Sequence, residues 1–153
     1  MKPEEIDAAT LMRKKSWIDT YSKPEIGVTS EWIEERFAAQ LSEANFPARQ
    51  ERFLRNKRLG TFNAWVAHDE AGHIVGSATP FIDPEGKQRV GSIYVDKDWH
   101  GRGVGHQLMQ KVVDWFDPTK PIHLMVATYN DRAKAFYKKW SFEEIPGSEN
   151  LYD

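Results

Sequence analysis

Six consecutive residues, His100-Gly101-Arg102-Gly103-Val104-Gly105, separate an alternating apolar run from an amphipathic one, so the sequence predicts a glycine-rich turn that opens a helix. Amides in the first turn of a helix have no intrahelical partner and point at whatever lies on the helix end. Glycine permits positive φ and close approach of the backbone to a ligand, and the helix end adds roughly 0.3–1 kcal/mol of favourable interaction with negative charge. The segment is suited to a pyrophosphate. Two common nucleotide loops do not fit it. A P-loop closes with Gly-Lys-Ser or Gly-Lys-Thr, whereas this one closes with Gly105-His106-Gln107. A dinucleotide fingerprint runs G-x-G-x-x-G in a first strand-helix unit with an acidic residue about twenty positions later, and these glycines run G-x-G-x-G after a meander.

Other residues with chemical potential are more scattered. The five histidines show no H-x-x-x-H or similar ligand spacing and the chain has no cysteine, so neither a metal site nor a thiolate nucleophile is expected. The basic stretch Arg49 to Arg58 alternates with Glu51, Phe53 and Leu54, the pattern of a solvated helix face, and no nucleic-acid partner is expected. A formal net charge of -2 gives no bulk attraction to nucleic acid or anionic lipid, so an anionic ligand must be held by local geometry. With 153 residues, 40% of them hydrophobic and 29% charged, one globular domain is expected. Met1 to Thr10 carries acids and no apolar run, which predicts neither a secretory leader nor a membrane span, and a cytoplasmic location.

The elements that would position the loop follow from periodicity. Pro3 to Tyr21 reads as a helix with Ile6, Ala9, Met12, the Arg13 stem, Trp17 and Tyr21 on its inner face. Thr29 or Ser30 caps a second helix running to about Leu41, with Glu31 in its first turn. Pro47 is expected to interrupt, and a helical pattern resumes through Arg49 to Arg58 until Gly60. Phe62 to His68 and His73 to Phe81 alternate as a hairpin around Asp69-Glu70-Ala71-Gly72, and Gln88 to Val95 forms a third strand after a turn at Asp83 to Gly86. Val104 to Phe116 reads as a helix, Ile122 to Ala127 as a buried parallel strand, and Asn130 as the cap of a last helix with Ala133, Phe136, Tyr137 and Trp140 inward. A short strand near Phe142 to Ile145 completes an α+β fold, loosely α/β, with a mixed sheet covered by helices.

The glycine loop resembles the pyrophosphate loop of the GCN5-related N-acetyltransferases (GNAT), whose motif is Gln or Arg, two residues, Gly, any residue, then Gly or Ala. His100 holds the first place. The resemblance extends from about Phe62 to Phe142 and includes a stretch like the family's later Asn...Ala...Tyr...Gly-Phe pattern. It implies a mostly antiparallel sheet, acetyl-coenzyme A as co-substrate, and no metal. It further implies that the main chain of Tyr94 and Val95 pairs with the pantetheine arm, that His100, Gly101 and Arg102 to Gly105 hold the pyrophosphate, and that Asn130 borders the same groove.

The implied reaction is acetyl transfer to a primary amine of a small molecule, a polyamine or a peptide. An alkylammonium with a pKa near ~10.4 must lose a proton before attack, and the departing thiol, near ~8.5, can take one from a phenol near ~10. Tyr137 occupies a place similar to that of the family's general acid. The base stays open: Gln88 to Val95 contains no carboxylate and Arg89 stands where one is expected, leaving Asp83, Asp96, a backbone carbonyl, His73 or His100. Trp17, Tyr21, Ile26 and Trp32, with Phe81 nearby, would wall the acceptor pocket. The alternative is an acyl-coenzyme A-binding module without turnover. Two departures stand out. Ser141 replaces a glycine after the last helix, and the chain begins in helix and ends at Leu151-Tyr152-Asp153, so both sheet edges look short and a homodimer is expected to complete them.

Overall fold

The structure, a computed structural model, describes residues 1–148. Its N-terminal third is helical: a 3₁₀ turn at Pro3–Glu5 leads into α1 (Ile6–Tyr21), followed by α2 (Ser30–Leu41) and α3 (Phe46–Arg58). Thr29 caps α2, its Oγ1 accepting from the Trp32 amide at 3.1 Å. Pro47 does not interrupt α3 but sits in its first turn, where an amide has no partner to lose. The inner face of α1 is more polar than expected. Thr10 and Ser16 are buried beside Ala9 and Met12, and Thr10 satisfies its hydroxyl on the Ile6 carbonyl at 2.7 Å.

Among the described residues four strands form one sheet in the order β1-β2-β3-β4: β1 (Trp65–His68), β2 (Ile74–Ile82), β3 (Gln88–Val95) and β4 (Ile122–Leu124). The first two neighbours are antiparallel, and β3 pairs with β4 in parallel. Phe62, expected within the first strand, makes an isolated bridge to Phe81 instead. The β2–β3 register passes from Thr79↔Ser92 to Pro80↔Val90, leaving Gly91 unopposed in a bulge. Parallel pairing with β4 covers Gln88 to Val90 and stops at that bulge. This is why the expected strand Ile122 to Ala127 is three residues long and half-buried: its partner turns away at Gly91. The position excludes a side chain, since a Cβ on Gly91 would lie 2.8 Å from the Thr79 carbonyl and 3.0 Å from the Phe81 ring.

Helix α4 (Val104–Trp115) packs on one face of the sheet, where Leu108, Met109, Val112 and Phe116 bury against Ala78 and Val90, with Ile93 and Val95 alongside. Strand alternation turns Tyr94 to the opposite face, where Trp17 of α1 donates its indole N–H to the Tyr94 hydroxyl at 2.7 Å. Helix α5 (Asp131–Lys139) brings Phe136 and Trp140 onto the α4 side. No strand forms near Phe142 to Ile145. Ser141 takes a left-handed φ of 62°, its amide reaches the Lys138 carbonyl at 3.0 Å, and the Phe142 amide returns to Tyr137 at 3.2 Å, so the chain closes the helix end there. Leu151-Tyr152-Asp153 lie outside the described residues.

Substituting Gly91→Ala should lower the melting temperature by several degrees, the effect of about 1–3 kcal/mol of overpacking, because the clash is with backbone as well as with a ring. Thermal denaturation followed by circular dichroism checks this, and an unchanged midpoint would mean that the bulge relaxes freely.

Candidate active site

Beyond Gly91, β3 keeps β2 on one edge and, among the described residues, has no strand on the other. The Asp96 amide donates to the Val75 carbonyl of β2 at 2.9 Å, so alternation turns the Tyr94 main chain toward β2 as well and leaves the N–H and C=O groups of Ile93 and Val95 on the open edge. A groove of about 880 Å³ follows that edge, between β3, Met125 and Val126 after β4, helix α5, and Ser16, Thr20 and Tyr21 of α1. Tyr94 therefore enters the groove through its side chain, and its main chain, expected to face a ligand, faces β2 instead.

The glycine loop forms one end of this groove. Its strand exit is pinned to α1 by ion pairs from Lys15 to Asp96 and from Lys97 to Asp19, the second at 2.9 Å. Gly103 is the N-cap of α4 at φ 83°, a left-handed conformation that L side chains rarely adopt, and no side chain caps the helix. The first main-chain bond of α4 runs from Gln107 to the Gly103 carbonyl at 3.0 Å, so the preceding amides of Val104, Gly105 and His106 are open to an anion. A Cβ at Gly101 or Gly103 would meet nothing within 4 Å, which leaves the backbone itself accessible. His100, Gly101, Gly103 and Gly105 line the groove. The other two loop residues point elsewhere: Val104 packs against the core and the Arg102 guanidinium lies 4.7 Å over the Trp99 ring.

His100 has an architectural partner. Its Nε2 lies 2.9 Å from the Val95 carbonyl, which accepts only, so the ring is the Nε2–H tautomer. Burial, with Arg132 nearby, holds its pKa below the usual histidine range. The other proposed bases are also engaged. Asp83 accepts from the Glu85 and Lys87 amides at 3.1 and 2.8 Å, and the Arg89 guanidinium keeps its carboxyl below the usual carboxylate range. For Asp96 burial opposes ionisation, yet Lys15 and the Asp98 amide hold its pKa down. His73 is exposed and paired with Asp69 at 3.1 Å.

Tyr137 lines the groove with its ring between Phe136 and Phe142, at centroid distances of 5.4 and 5.8 Å. Burial and then the neighbouring Tyr21 push its hydroxyl up to about 12, so it rests protonated at neutral pH and acts first as a donor. Asn130 caps α5, its Oδ1 accepting from the Ala133 amide at 3.1 Å, and its Nδ2 faces the Tyr21 hydroxyl at 3.4 Å. Of the proposed acceptor residues, Tyr21 lines the groove and Trp17 stands behind it, edge-on at 5.2 Å. Trp32 is exposed on α2 beneath Arg36, and Phe81 lies under the Gly91 bulge; neither borders the groove. Arg132, Lys139 and His106, which do border it, were not singled out from sequence. Helical spacing from Asn130 carried the signal for the first two, since Arg132, Phe136 and Lys139 recur on one face. Among the described residues no cluster of three or more metal-ligating side chains occurs.

Because the folded pKa of His100 is depressed, its contribution to stability is complete above the unfolded value near 6.5 and is lost as pH falls through the folded value. An NMR titration of the His100 ring should therefore give a midpoint below 6.5 with the Nε2–H tautomer above it. A midpoint at or above 6.5 would refute the burial of the ring with Arg132 nearby, and the other tautomer would refute the bond to Val95.

Residues 27–142 match the Acetyltransferase (GNAT) family. A 92-residue stretch, 56% of the chain, is 35% identical to an uncharacterized protein of Mycobacterium leprae and covers 24% of it, so the chain spans about a quarter of that curated relative. Among solved structures, AAC(6')-Iy in complex with the bisubstrate analogue CoA-S-monomethyl-acetylneamine aligns over 100% of this chain and 92% of its own, with a TM-score of 0.65 at 16% identity. A predicted acetyltransferase of Clostridium acetobutylicum with acetyl-CoA aligns over 99% and 92%, with a TM-score of 0.62 at 15% identity. At these identities the likeness is one of fold. Mixed sheet, opened edge and uncapped helix are thus found in a sequence that matches one family across most of its length: the chain belongs to the GNAT family of acetyltransferases.

Proposed function

We propose that this chain binds acetyl-coenzyme A in the groove and transfers the acetyl group to an amine. The observation that carries the reading is the juxtaposition of an unpaired strand edge at Ile93 and Val95 with the uncapped N-terminus of α4. An elongated ligand with amide groups at one end and a pyrophosphate at the other matches both demands. Ile93 and the Val95 amide would hold the pantetheine arm, since the Val95 carbonyl already serves His100. The amides from Gly103 to His106 would hold the pyrophosphate, with Arg132 and Lys139 contributing positive charge from the opposite wall. The fold neighbours carrying acetyl-CoA or a CoA-linked analogue support this assignment.

Acetyl-coenzyme A supplies an acyl group already activated as a thioester, so transfer breaks a C–S bond, forms a C–N bond and releases a thiol. Tyr137, kept protonated by burial, donates the proton that the departing sulfur requires. Tyr21 and Tyr94 border the end of the groove where α1 faces β3 and position the acceptor. The sheet ends in β1 and β4, and a homodimer completed along such an edge is part of this reading; light scattering showing a monomer would remove it.

At a hundredfold its dissociation constant, acetyl-coenzyme A should stabilise the protein by about 2.7 kcal/mol, a shift of several degrees in melting temperature. Gly103→Val should abolish most of that shift, since it adds a side chain at positive φ in the cradle. Tyr137→Phe should retain the shift yet lose on the order of a hundredfold in thiol-release rate. Full binding with no turnover in the unsubstituted protein would favour an acyl-coenzyme A-binding module instead.

A further inference from the structure

Among the described residues that line the groove none is Asp or Glu, and the charged ones are Arg132 and Lys139. Three carboxylates outside it are paired, Asp96 with Lys15, Asp19 with Lys97 and Asp83 with Arg89. Aromatic faces offer a second way to hold a cation, and rings in or beside the groove already carry the chain's own: the Arg102 guanidinium lies 4.7 Å over Trp99, which lines it. Arg36 of α2 lies 5.6 Å from the Trp17 ring, and Lys23 lies 4.4 Å from the ring of Tyr129, which packs against Tyr21. Arg13, bonded to Gln40 at 2.7 Å and 5.4 Å from the Phe37 ring, places another positive charge near Tyr94.

We propose that the acceptor is a weakly basic amine that enters the groove uncharged, and that the site selects against alkylammonium ions. The inference rests on the acetyl-transfer reading above and narrows its acceptor. Strong bases such as polyamines and lysine side chains, with pKa values near ~10.4, present roughly one neutral molecule in a few thousand at pH 7. An ammonium would also have to shed water among neutral phenols, with no carboxylate among the described residues lining the groove. Burial raises the pKa of Tyr94, Tyr129 and Tyr137 alike, so these hydroxyls remain neutral hydrogen-bonding groups.

The proton inventory closes for a neutral acceptor. The nitrogen lone pair forms the C–N bond as the C–S bond breaks and its electron pair leaves on sulfur. Sulfur takes the Tyr137 proton, and the nitrogen, which now carries one proton too many, returns it to the Tyr137 oxygen. Amine and thioester become amide and thiol, with no outside base needed.

The test compares phenethylamine with its β,β-difluoro analogue, which is close in shape but much less basic, using the full chain with acetyl-coenzyme A. For each, kcat/KM should rise about tenfold per pH unit up to the amine's own pKa, so that the inflection moves with the substrate. At pH 7 the difluoro compound should be preferred at least tenfold. An inflection shared by both amines, or a preference for phenethylamine at pH 7, would overturn the proposal. If neither is acetylated, calorimetric titration of each into coenzyme A-saturated protein at low and high pH decides. Tighter binding of the neutral form upholds the inference; equal binding, a preference for the cation, or no binding of either overturns it. Loss of the parent reading has a separate signature, the absence of any acetyl-coenzyme A-dependent rise in melting temperature, and the acceptor inference falls with it.

Discussion

The architecture turns on one residue having no side chain. At Gly91 a Cβ would sit 2.8 Å from a carbonyl of the neighbouring strand, and the extra residue there bends β3 away from β4 while β2 follows it. Buried backbone amides and carbonyls require partners, so a strand edge opened inside a groove is an unmet demand that a ligand can satisfy. The divergence sets where everything else must lie. The strand runs on to Val95, the loop turns at Gly101 and Gly103, and α4 begins with its amides facing the opened space. Phe136 of α5 packs 3.5 Å from where a Gly105 Cβ would project, which places the opposite wall against the helix end.

What sequence conveyed well was short-range. The loop, the third strand, the capping of α2 by Thr29 and of α5 by Asn130, and the departure at Ser141 all depend on neighbours a few residues apart, and the structure shows each of them. What it conveyed badly depends on partners distant in the chain. The apolar run Ile122 to Ala127 has ordinary strand character, and only the bending of β3 cuts it short. Phe81 and Trp32 have the side chains of a binding pocket, yet Phe81 underpins the bulge and Trp32 carries Arg36 at the surface. The contact between Trp17 and the Tyr94 hydroxyl joins residues 77 apart in sequence, and no local pattern announces it.

Residue type misled most where chemistry and architecture compete for the same groups. Carboxylates and imidazoles attract attention as bases, but a fold also needs them to close turns and pin loops. Asp83 organises the β2–β3 turn through two amides and Arg89, Asp96 starts the loop with Lys15, and His100 answers the Val95 carbonyl that the bulge left open. The bonds at Asp83 and Asp96 lower the basicity of those carboxylates, and burial with Arg132 nearby lowers that of His100. A base withdrawn in this way from acid–base work leaves the reactive groove to neutral hydroxyls, and the proton economy of the site follows from that.

The two walls of the groove are anchored independently. Helix α1 is fixed to β3 and its loop by the Trp17–Tyr94 bond and by the Lys15–Asp96 and Lys97–Asp19 pairs. Helix α5 is fixed to α4 through Phe136 and through Trp140, whose ring tilts over His106 at 4.8 Å. Between the walls the polar link at Asn130 and Tyr21 is long, at 3.4 Å, and the Tyr21–Tyr129 edge contact spans 6.3 Å. Hydrogen bonds of that length are weak. A ligand lying along β3 would therefore supply contacts between α1 and α5 that the protein makes poorly by itself, and its binding energy would go partly into joining them. Order at the acceptor end then depends on occupancy of the strand edge, because Tyr21 and Tyr137 stand on opposite walls and the ligand is what holds both to one geometry.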